Sequence, residues 1–164
     1  MPPDMRLFNY LYRTYSIQGT IELKTLFYIA PFSVKPNRQY PGNVIQYSLM
    51  TLASFQAQND NASAPHIKSI FDIFCSFINK ETLKTFTAKD CAVSLSAMAM
   101  IIRQDFKDTD LKAFEVKVLS LLAQLRLQIQ EAMPIDLASA LRAFGELAGV
   151  MKLSSQRSAF MSLM

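Results

Sequence analysis

Residues 87–100, TAKDCAVSLSAMAM, have a close relative in residues 133–146, MPIDLASALRAFGE, and a looser one in residues 41–54, PGNVIQYSLMTLAS. Residues at matching places in the three stretches lie 46 positions apart: Leu49, Leu95 and Leu141; Ile45, Cys91 and Leu137; Ser48, Ser94 and Ala140; and Ala53, Ala99 and Gly145. A fixed period of this size is typical of stacked helical hairpins. We therefore predict an all-α protein, a short α-solenoid with a period of about 46 residues.

Each repeating unit is predicted to be a hairpin of two helices, called here helix A and helix B, joined by a polar turn. Apolar residues recur at helical spacing in every segment. In each helix A a large residue is followed one turn later by a small one, which lets neighbouring A helices approach closely. The predicted A helices are residues 44–57, 88–103 and 135–149, and the predicted B helices are residues 66–79, 110–131 and 153–164.

Residues with capping chemistry stand where the A helices are expected to begin. Asn43 is predicted to cap the first A helix. Thr87 precedes the second, with Asp90 three residues later, which is a variant of the capping box. Pro134 and Asp136 suit the first turn of the third, because proline fits there and a carboxylate is favourable near a helix N-terminus.

The first quarter of the chain has a different character from the repeats. Helical spacing predicts two short helices at residues 4–16 and 20–30, and prolines predict an irregular connector over residues 31–42. We therefore divide the chain into residues 1–42, with these helices and the Pro-rich connector, and residues 43–164, the helical-hairpin repeat domain. Together they are expected to form one compact unit.

Composition limits the kinds of partner. Apolar residues make up 51% of the chain and charged residues only 18%, so a monomer would leave apolar surface uncovered and we expect a partner surface. The net charge of +4 permits RNA or an anionic membrane surface and requires neither. The longest uncharged apolar run, residues 91–102, is shorter than the roughly 20 residues of a membrane span, so no span is predicted.

The start of the chain bears on localisation. Residues 5–21 contain two arginines and no acid, as mitochondrial presequences do. We interpret the stretch as the first helix of the domain, since it is richer in bulky aromatic residues than presequences usually are. Presequence and first helix remain the two alternatives at this point.

No set of residues in the sequence indicates a catalytic, cofactor or metal site. His66 is the single histidine, and Cys75 and Cys91 lie in apolar helical patterns typical of buried free thiols. The four glycines form no phosphate-binding loop, and no Cys-x-x-Cys pair suggests zinc. The carboxylates between Asp105 and Asp110 lack the spacing and glycine of a calcium loop. We therefore predict a protein that is not an enzyme and binds no cofactor.

Two groups of residues are candidates for contact with partners. Basic side chains along the A helices could form a stripe for RNA phosphates, and the alternative is an ordinary solvated face. A tyrosine of the Pro-rich connector and the uncapped apolar C-terminal residues are candidates for protein contact, which would come from a partner or a longer parent chain. The RNA candidates are Lys84, Lys89, Arg103, Lys107 and Arg142; the protein candidates are Tyr40, Phe160, Met161, Leu163 and Met164.

Two strings, KDCAVSLSAMAMI and IDLASALRAFGEL, resemble the helix A signature of organellar helical-hairpin repeats. These are the octotricopeptide and heptatricopeptide repeats and the repeats of Fas-activated serine/threonine kinase-like proteins, whose signature runs roughly Asp-Leu-Ala-x-x-Leu-x-Ala-x-Ala. The resemblance covers two units and implies an α-solenoid of mitochondria or plastids concerned with RNA processing, RNA stability or ribosomes. The matching residues are Asp90, Ala92, Leu95, Ala97 and Ala99, then Asp136, Leu137, Ala138, Leu141 and Ala143.

The chain departs from these families in its longer period and at Ser96 and Arg142, where such repeats often have tryptophan. These departures weigh against sequence-specific RNA reading more than against the fold. We predict a non-catalytic structural subunit of a large mitochondrial RNA–protein assembly, with the ribosome as the first candidate. Its partners are predicted to be protein subunits and RNA phosphates. One alternative is a protein-binding accessory subunit of a mitochondrial respiratory or ATP synthase complex. Another is a catalytic domain whose motif is not recognisable.

Overall fold

A computed structural model describes residues 39–58, 64–102 and 108–151, and every structural statement below concerns these residues. They form six α-helices and no strand, so the all-α prediction is confirmed for this part of the chain. The helices are α1 Gly42–Gln58, α2 Ala64–Ser76, α3 Lys80–Leu83, α4 Ala88–Ile102, α5 Asp108–Leu127 and α6 Pro134–Met151. The helices predicted at residues 4–16, 20–30 and 153–164 lie outside the described residues.

Helix α4 lies at the centre of this arrangement. It packs most extensively against α1 and α6, and these two make little contact with each other. The helices that the period predicted as A helices are thus neighbours in chain order. Helix α2 packs against α1, and α5 packs against both α4 and α6.

The sequence of α4 explains its central position. Eleven of its fifteen residues are buried, and several of these are alanine or serine, so two neighbouring helices can approach its backbone closely. Leu95 and Met98 are both 0% exposed and fill the space between the helices. Burying one such side chain contributes about 1.5–3 kcal/mol. The helix therefore has a core-like sequence on most of its circumference.

The B helices are joined to the rest by specific contacts. The rings of Phe71 in α2 and Phe114 in α5 have centroids 4.8 Å apart. The Lys117 ammonium of α5 donates a hydrogen bond to the Ile78 carbonyl, in the turn after α2. Gln128 Nε2 donates to the Phe86 carbonyl at 2.7 Å, which connects the end of α5 to the segment before α4. These bonds satisfy carbonyls in turns, where the helix ladder does not.

The predicted capping box of α4 is confirmed. The Asp90 amide donates to Thr87 Oγ1 at 3.2 Å, and the Thr87 amide donates to Asp90 Oδ2 at 2.9 Å. A similar carboxylate contact occurs at the start of α6, where the Met133 amide donates to Asp136 Oδ2 at 3.3 Å. Both contacts place an anion at the positive end of an A helix.

The prediction that Asn43 caps the first A helix is wrong. Helix α1 begins at Gly42, and the Pro41 carbonyl accepts from the amides of Val44 at 3.0 Å and Ile45 at 3.2 Å. The Gly42 amide donates to Thr85 Oγ1 at 2.9 Å. A methyl group on Gly42 would lie 2.8 Å from the Phe86 Cα atom, so the start of α1 is set by a distant segment.

The two predicted B helices that lie within the described residues both end earlier than predicted. The first, predicted over residues 66–79, ends at Ser76. Asn79 Oδ1 then accepts from the amides of Glu81 and Thr82 and starts the separate short helix α3. Helix α5 ends four residues before the predicted residue 131, and the turn that follows uses tighter bonds such as Glu131 N to Gln128 O. Ile129 lies in this turn and is 37% exposed.

Candidate functional site: the open face of the A helices

Only one stripe of α4 reaches the surface. Its partly or fully exposed residues are Lys89, Val93, Ser96 and Met100, which follow one another at helical spacing. The residues 46 positions earlier and later are exposed or half-buried as well. They are Asn43, Tyr47, Met50 and Ser54 in α1, and Ile135, Ser139, Arg142 and Glu146 in α6. We call these twelve residues the open face.

Three sets of residues that lie 46 positions apart are buried in all three A helices, and every member is at most 7% exposed. The sets are Ser48, Ser94 and Ala140; Thr51, Ala97 and Ala143; and Leu52, Met98 and Phe144. At these three registers α1, α4 and α6 thus share a buried side, and at the registers of the open face they share an exposed or half-buried side.

A groove crosses the open face between α4 and α6. Its cavity has a volume of about 390 Å³ and opens to solvent. Ala99 and Ala143 are nearly buried, whereas Met100 and Arg142 are exposed. Small residues thus deepen the groove and longer side chains border it. The lining residues are Ser96, Ala99, Met100, Ser139, Arg142, Ala143 and Glu146.

The charges at this groove are mixed. Arg142 Nε lies 3.3 Å from Glu146 Oε1, and the side chain of Arg142 is 83% exposed. Such a solvated pair contributes at most about 1 kcal/mol, so the guanidinium can turn to another anion at little cost. Lys89 is exposed on the same face one helix away. The face therefore offers two cations for an anionic partner, beside one carboxylate.

Among the other candidates for RNA contact, the described residue Lys84 is not on this face. Lys84 lies off the A helices, in the turn after α3, where its ammonium is 2.9 Å from Glu81 Oε2. Arg103 and Lys107 lie outside the described residues. Of the five basic residues selected from the sequence, the structure thus brings Lys89 and Arg142 to a common face.

The structure places Tyr40 in the core and not on a surface for partners. Tyr40 is 3% exposed, and its ring meets that of Phe77 edge-on with centroids 4.9 Å apart. The sequence predicts a surface contact for Tyr40 because it does not show which distant ring covers this side chain. The other protein-contact candidates, Phe160, Met161, Leu163 and Met164, lie outside the described residues.

Neither cysteine has the environment of a reactive thiol. Burial raises the pKa of Cys75 far above its ordinary value, and burial also raises the pKa of Cys91 to about 12. A nucleophilic or metal-binding cysteine acts as the thiolate, which these surroundings disfavour. Within the described ranges, no group of three or more His, Cys, Asp or Glu side chains could hold a metal ion. None of the described helices is long and apolar enough to cross a membrane.

The apolar members of the open face are not predicted from the sequence. Tyr47 is 46% exposed, Met100 is 37% exposed and Ile135 is 65% exposed. Residue type alone assigns such side chains to a core. The signal that could have found them is the period, because each lies 46 positions from another residue of the same open stripe.

Comparisons with models of protein families, with curated proteins and with solved structures found no match for this chain. The features of the described residues that bear on function are therefore the open face and its groove.

Proposed function

We propose that the protein is a non-catalytic scaffold subunit of a large mitochondrial RNA–protein assembly, with the ribosome as the first candidate. In this proposal the chain is a short α-solenoid of stacked helical hairpins. The observation that carries this proposal is the open face, which recurs in register on three consecutive A helices. Solenoids commonly bind partners along an extended surface formed by equivalent positions of successive repeats. The resemblance of two A helices to organellar repeat proteins supports the choice of organelle and of RNA.

The open face carries groups that suit single-stranded RNA. Lys89 and Arg142 can contact phosphates, and the mixed charge of the groove limits how many. Tyr47, nearly half exposed on the neighbouring α1, can stack on a base. None of these contacts reads base edges in a defined order, so we propose phosphate and stacking contacts without strict sequence preference.

RNA binding by the open face can be tested with a double charge reversal. We expect Lys89→Glu with Arg142→Glu to weaken binding of a labelled single-stranded RNA, because two phosphate contacts are lost. Fluorescence anisotropy over a salt series should show the slope of log affinity against log salt reduced by about 0.7 for each contact.

The matched control is Lys112→Glu with Arg126→Glu, since both residues are exposed on α5 and lie off the open face. It changes the net charge by the same amount. An equal loss of binding in both double variants would mean general charge attraction only. Binding that survives the reversal at Lys89 and Arg142 would remove RNA from the proposed role of this face.

A protein-binding accessory subunit of a respiratory or ATP synthase complex is the second candidate. The observation that favours it is the groove itself, where Met100, Ala99 and Ala143 offer apolar surface between mixed charges. In this case the chain would sediment in gradients with a large mitochondrial complex after nuclease treatment. Met100→Glu would release it from that complex, whereas the charge reversal at Lys89 would not.

A further inference from the structure

The groove between α4 and α6 is lined by two serine hydroxyls that make no bond to their own helices. The Ser48 hydroxyl of α1 donates to the Val44 carbonyl at 2.9 Å, which is the usual bond of a serine within a helix. Among the described residues, the hydroxyls of Ser96 and Ser139 have no such partner. Both hydroxyls are therefore available to a molecule in the groove.

Arg142 adds a guanidinium that has donors left for an anion. Its Nε atom lies 3.3 Å from Glu146 Oε1, so the Nη1 and Nη2 groups remain for a second acceptor. A carboxylate accepts parallel N–H bonds from such a guanidinium, and this is among the stronger hydrogen-bonded pairs in proteins. Arg142 and the serine hydroxyls together suit a carboxylate.

An apolar floor adjoins these donors. Ala99 and Ala143 are at most 4% exposed, and Met100 borders the groove at 37% exposure. An apolar group placed there would remove Met100 from water, which is favourable. Glu146 adds a negative charge beside Arg142, so a ligand with one negative charge fits better than a ligand with more. The groove thus favours a carboxylate that is joined to an apolar side chain.

The openness of the groove favours the end of a polypeptide over a small molecule. Small-molecule sites usually bury about 70–90% of the surface of the ligand. This groove of about 390 Å³ opens to solvent, so much of a small ligand would stay in water. The end of a protein chain needs only its last residue in the groove, because the residues before it can lie along the open face.

The same register between α1 and α4 lacks this chemistry. Helix α1 contains no basic residue, and Ser96 of α4 stands 46 positions before Arg142. Val93 corresponds in the same way to Ser139. The described helices therefore provide one place where a guanidinium and two hydroxyls meet in a groove between A helices.

We infer that this groove binds the C-terminal carboxylate of a partner protein whose last side chain is apolar. Arg142, Ser96 and Ser139 donate to the carboxylate, and the last side chain packs against Met100 and Ala143. Capture of a terminal carboxylate is one of the recurring modes of peptide recognition. The inference rests on the proposed scaffold role, and it names the part of the partner that the open face holds.

Fluorescence anisotropy of the full chain with labelled peptides tests this inference. The probes are short peptides with a Gly-Ser spacer that end in Ala, Val, Leu or Phe, each with a free C-terminal carboxylate or as the amide. We expect the free carboxylates to bind, and amidation to weaken the best of them by at least about tenfold. Arg142→Gln should weaken the free peptide by a similar factor and leave the affinity for the amide unchanged.

Arg126→Gln is the matched control, because it removes a guanidinium from an exposed position of α5 that lies off the open face. It should leave peptide binding unchanged, and circular dichroism should show an intact fold for both variants. Equal affinity for free and amidated peptides, equal effects of the two substitutions, or no binding by any peptide would overturn the inference. Displacement of the peptide by an equal concentration of octanoate or inorganic phosphate would also overturn it, in favour of a free carboxylic acid or a phosphate.

A labelled single-stranded RNA, measured on the same samples, separates this inference from the proposed function. RNA that binds while no peptide does would remove the C-terminal partner and leave the proposed function in place. Peptides that bind at Arg142 while RNA does not would support the inference and remove RNA from the role of the open face.

Discussion

Gly42 lies where the first turn of α1 meets the segment that leads into α4. A side chain there would come within 2.7 Å of Phe86 Cδ2 and 2.8 Å of Phe86 Cα. Rotating the phenyl ring relieves only the first of these contacts, because the second involves the backbone. The two segments are 43 residues apart in sequence and are joined by the bond from the Gly42 amide to Thr85. Glycine is therefore required by close approach at this position.

We predict that Gly42→Ala lowers the free energy of unfolding by about 1–3 kcal/mol, the usual cost of overpacking. Urea unfolding followed by helical circular dichroism measures the change. Gly145→Ala is the control, since nothing described lies within 4 Å of its new methyl group. That substitution should raise the stability by about 0.5–1 kcal/mol through helix propensity. Equal effects of the two substitutions would contradict the packing at Gly42.

The buried Cys91 thiol predicts a pH dependence of stability. Burial raises its pKa from 9.0 to about 12 in the folded protein, so above pH 9 the unfolded chain loses this proton while the folded chain keeps it. The unfolded state then binds fewer protons, and the free energy of unfolding falls as pH rises from about 9 to about 12. Below that window the contribution of this thiol is fully present.

The slope expected from one such thiol is about 1.4 kcal/mol per pH unit. Cys91→Ala should make the curve of unfolding free energy against pH less steep by that amount within the window. The substitution also removes packing of the Cys91 side chain, which lowers the free energy of unfolding by the same amount at every pH. This loss shifts the whole curve, and the difference in slope can still be measured. An identical alkaline slope in the variant would show that the thiol is not protected in the folded state.

At the scale of the helix, local chemistry predicted some boundaries well. Thr87 and Asp90 form their capping box within four residues of each other, so the start of α4 follows from nearby sequence alone. The A helices also carry strong apolar and small-residue patterns. For the same reason the all-α class and the order of the major helices followed from sequence.

Boundaries that depend on distant residues did not follow from sequence. The start of α1 depends on Phe86 and Thr85, and the end of α5 lies beside Gln128, which binds the Phe86 carbonyl. The sequence predicts a surface position for Tyr40 because the ring that covers it, Phe77, comes from the distant turn after α2. Each of these features is a tertiary contact, and a single sequence does not show which distant residues are in contact.

At the scale of the whole molecule, the A helices separate two surfaces. The open face combines Lys89 and Arg142 with exposed apolar residues and is proposed to meet RNA or a protein subunit. On a different side of α6 from the open face lie the half-buried or exposed residues Leu137, Ala138, Leu141, Gly145 and Ala148.

The candidate site was only partly predictable for the same physical reason. Lys89 and Arg142 were found because exposed cations are recognisable by type. Met100 and Ile135 were missed because apolar residues are normally buried, and only the arrangement of three helices shows that these positions face solvent. The groove of about 390 Å³ between α4 and α6 depends on that arrangement entirely.

Peroxide oxidation of the methionines, followed by mass spectrometry, tests the open face most directly. Met98 and Met100 lie two residues apart in α4 but are 0% and 37% exposed, so they serve as controls for each other. We predict that Met100 is oxidised rapidly in the folded protein and that Met98 is oxidised only on unfolding. Bound RNA should protect Met100 from oxidation. It should not protect Met133, which is 62% exposed and lies off the open face. Equal oxidation of Met98 and Met100 in the folded protein would contradict the shared register of the A helices.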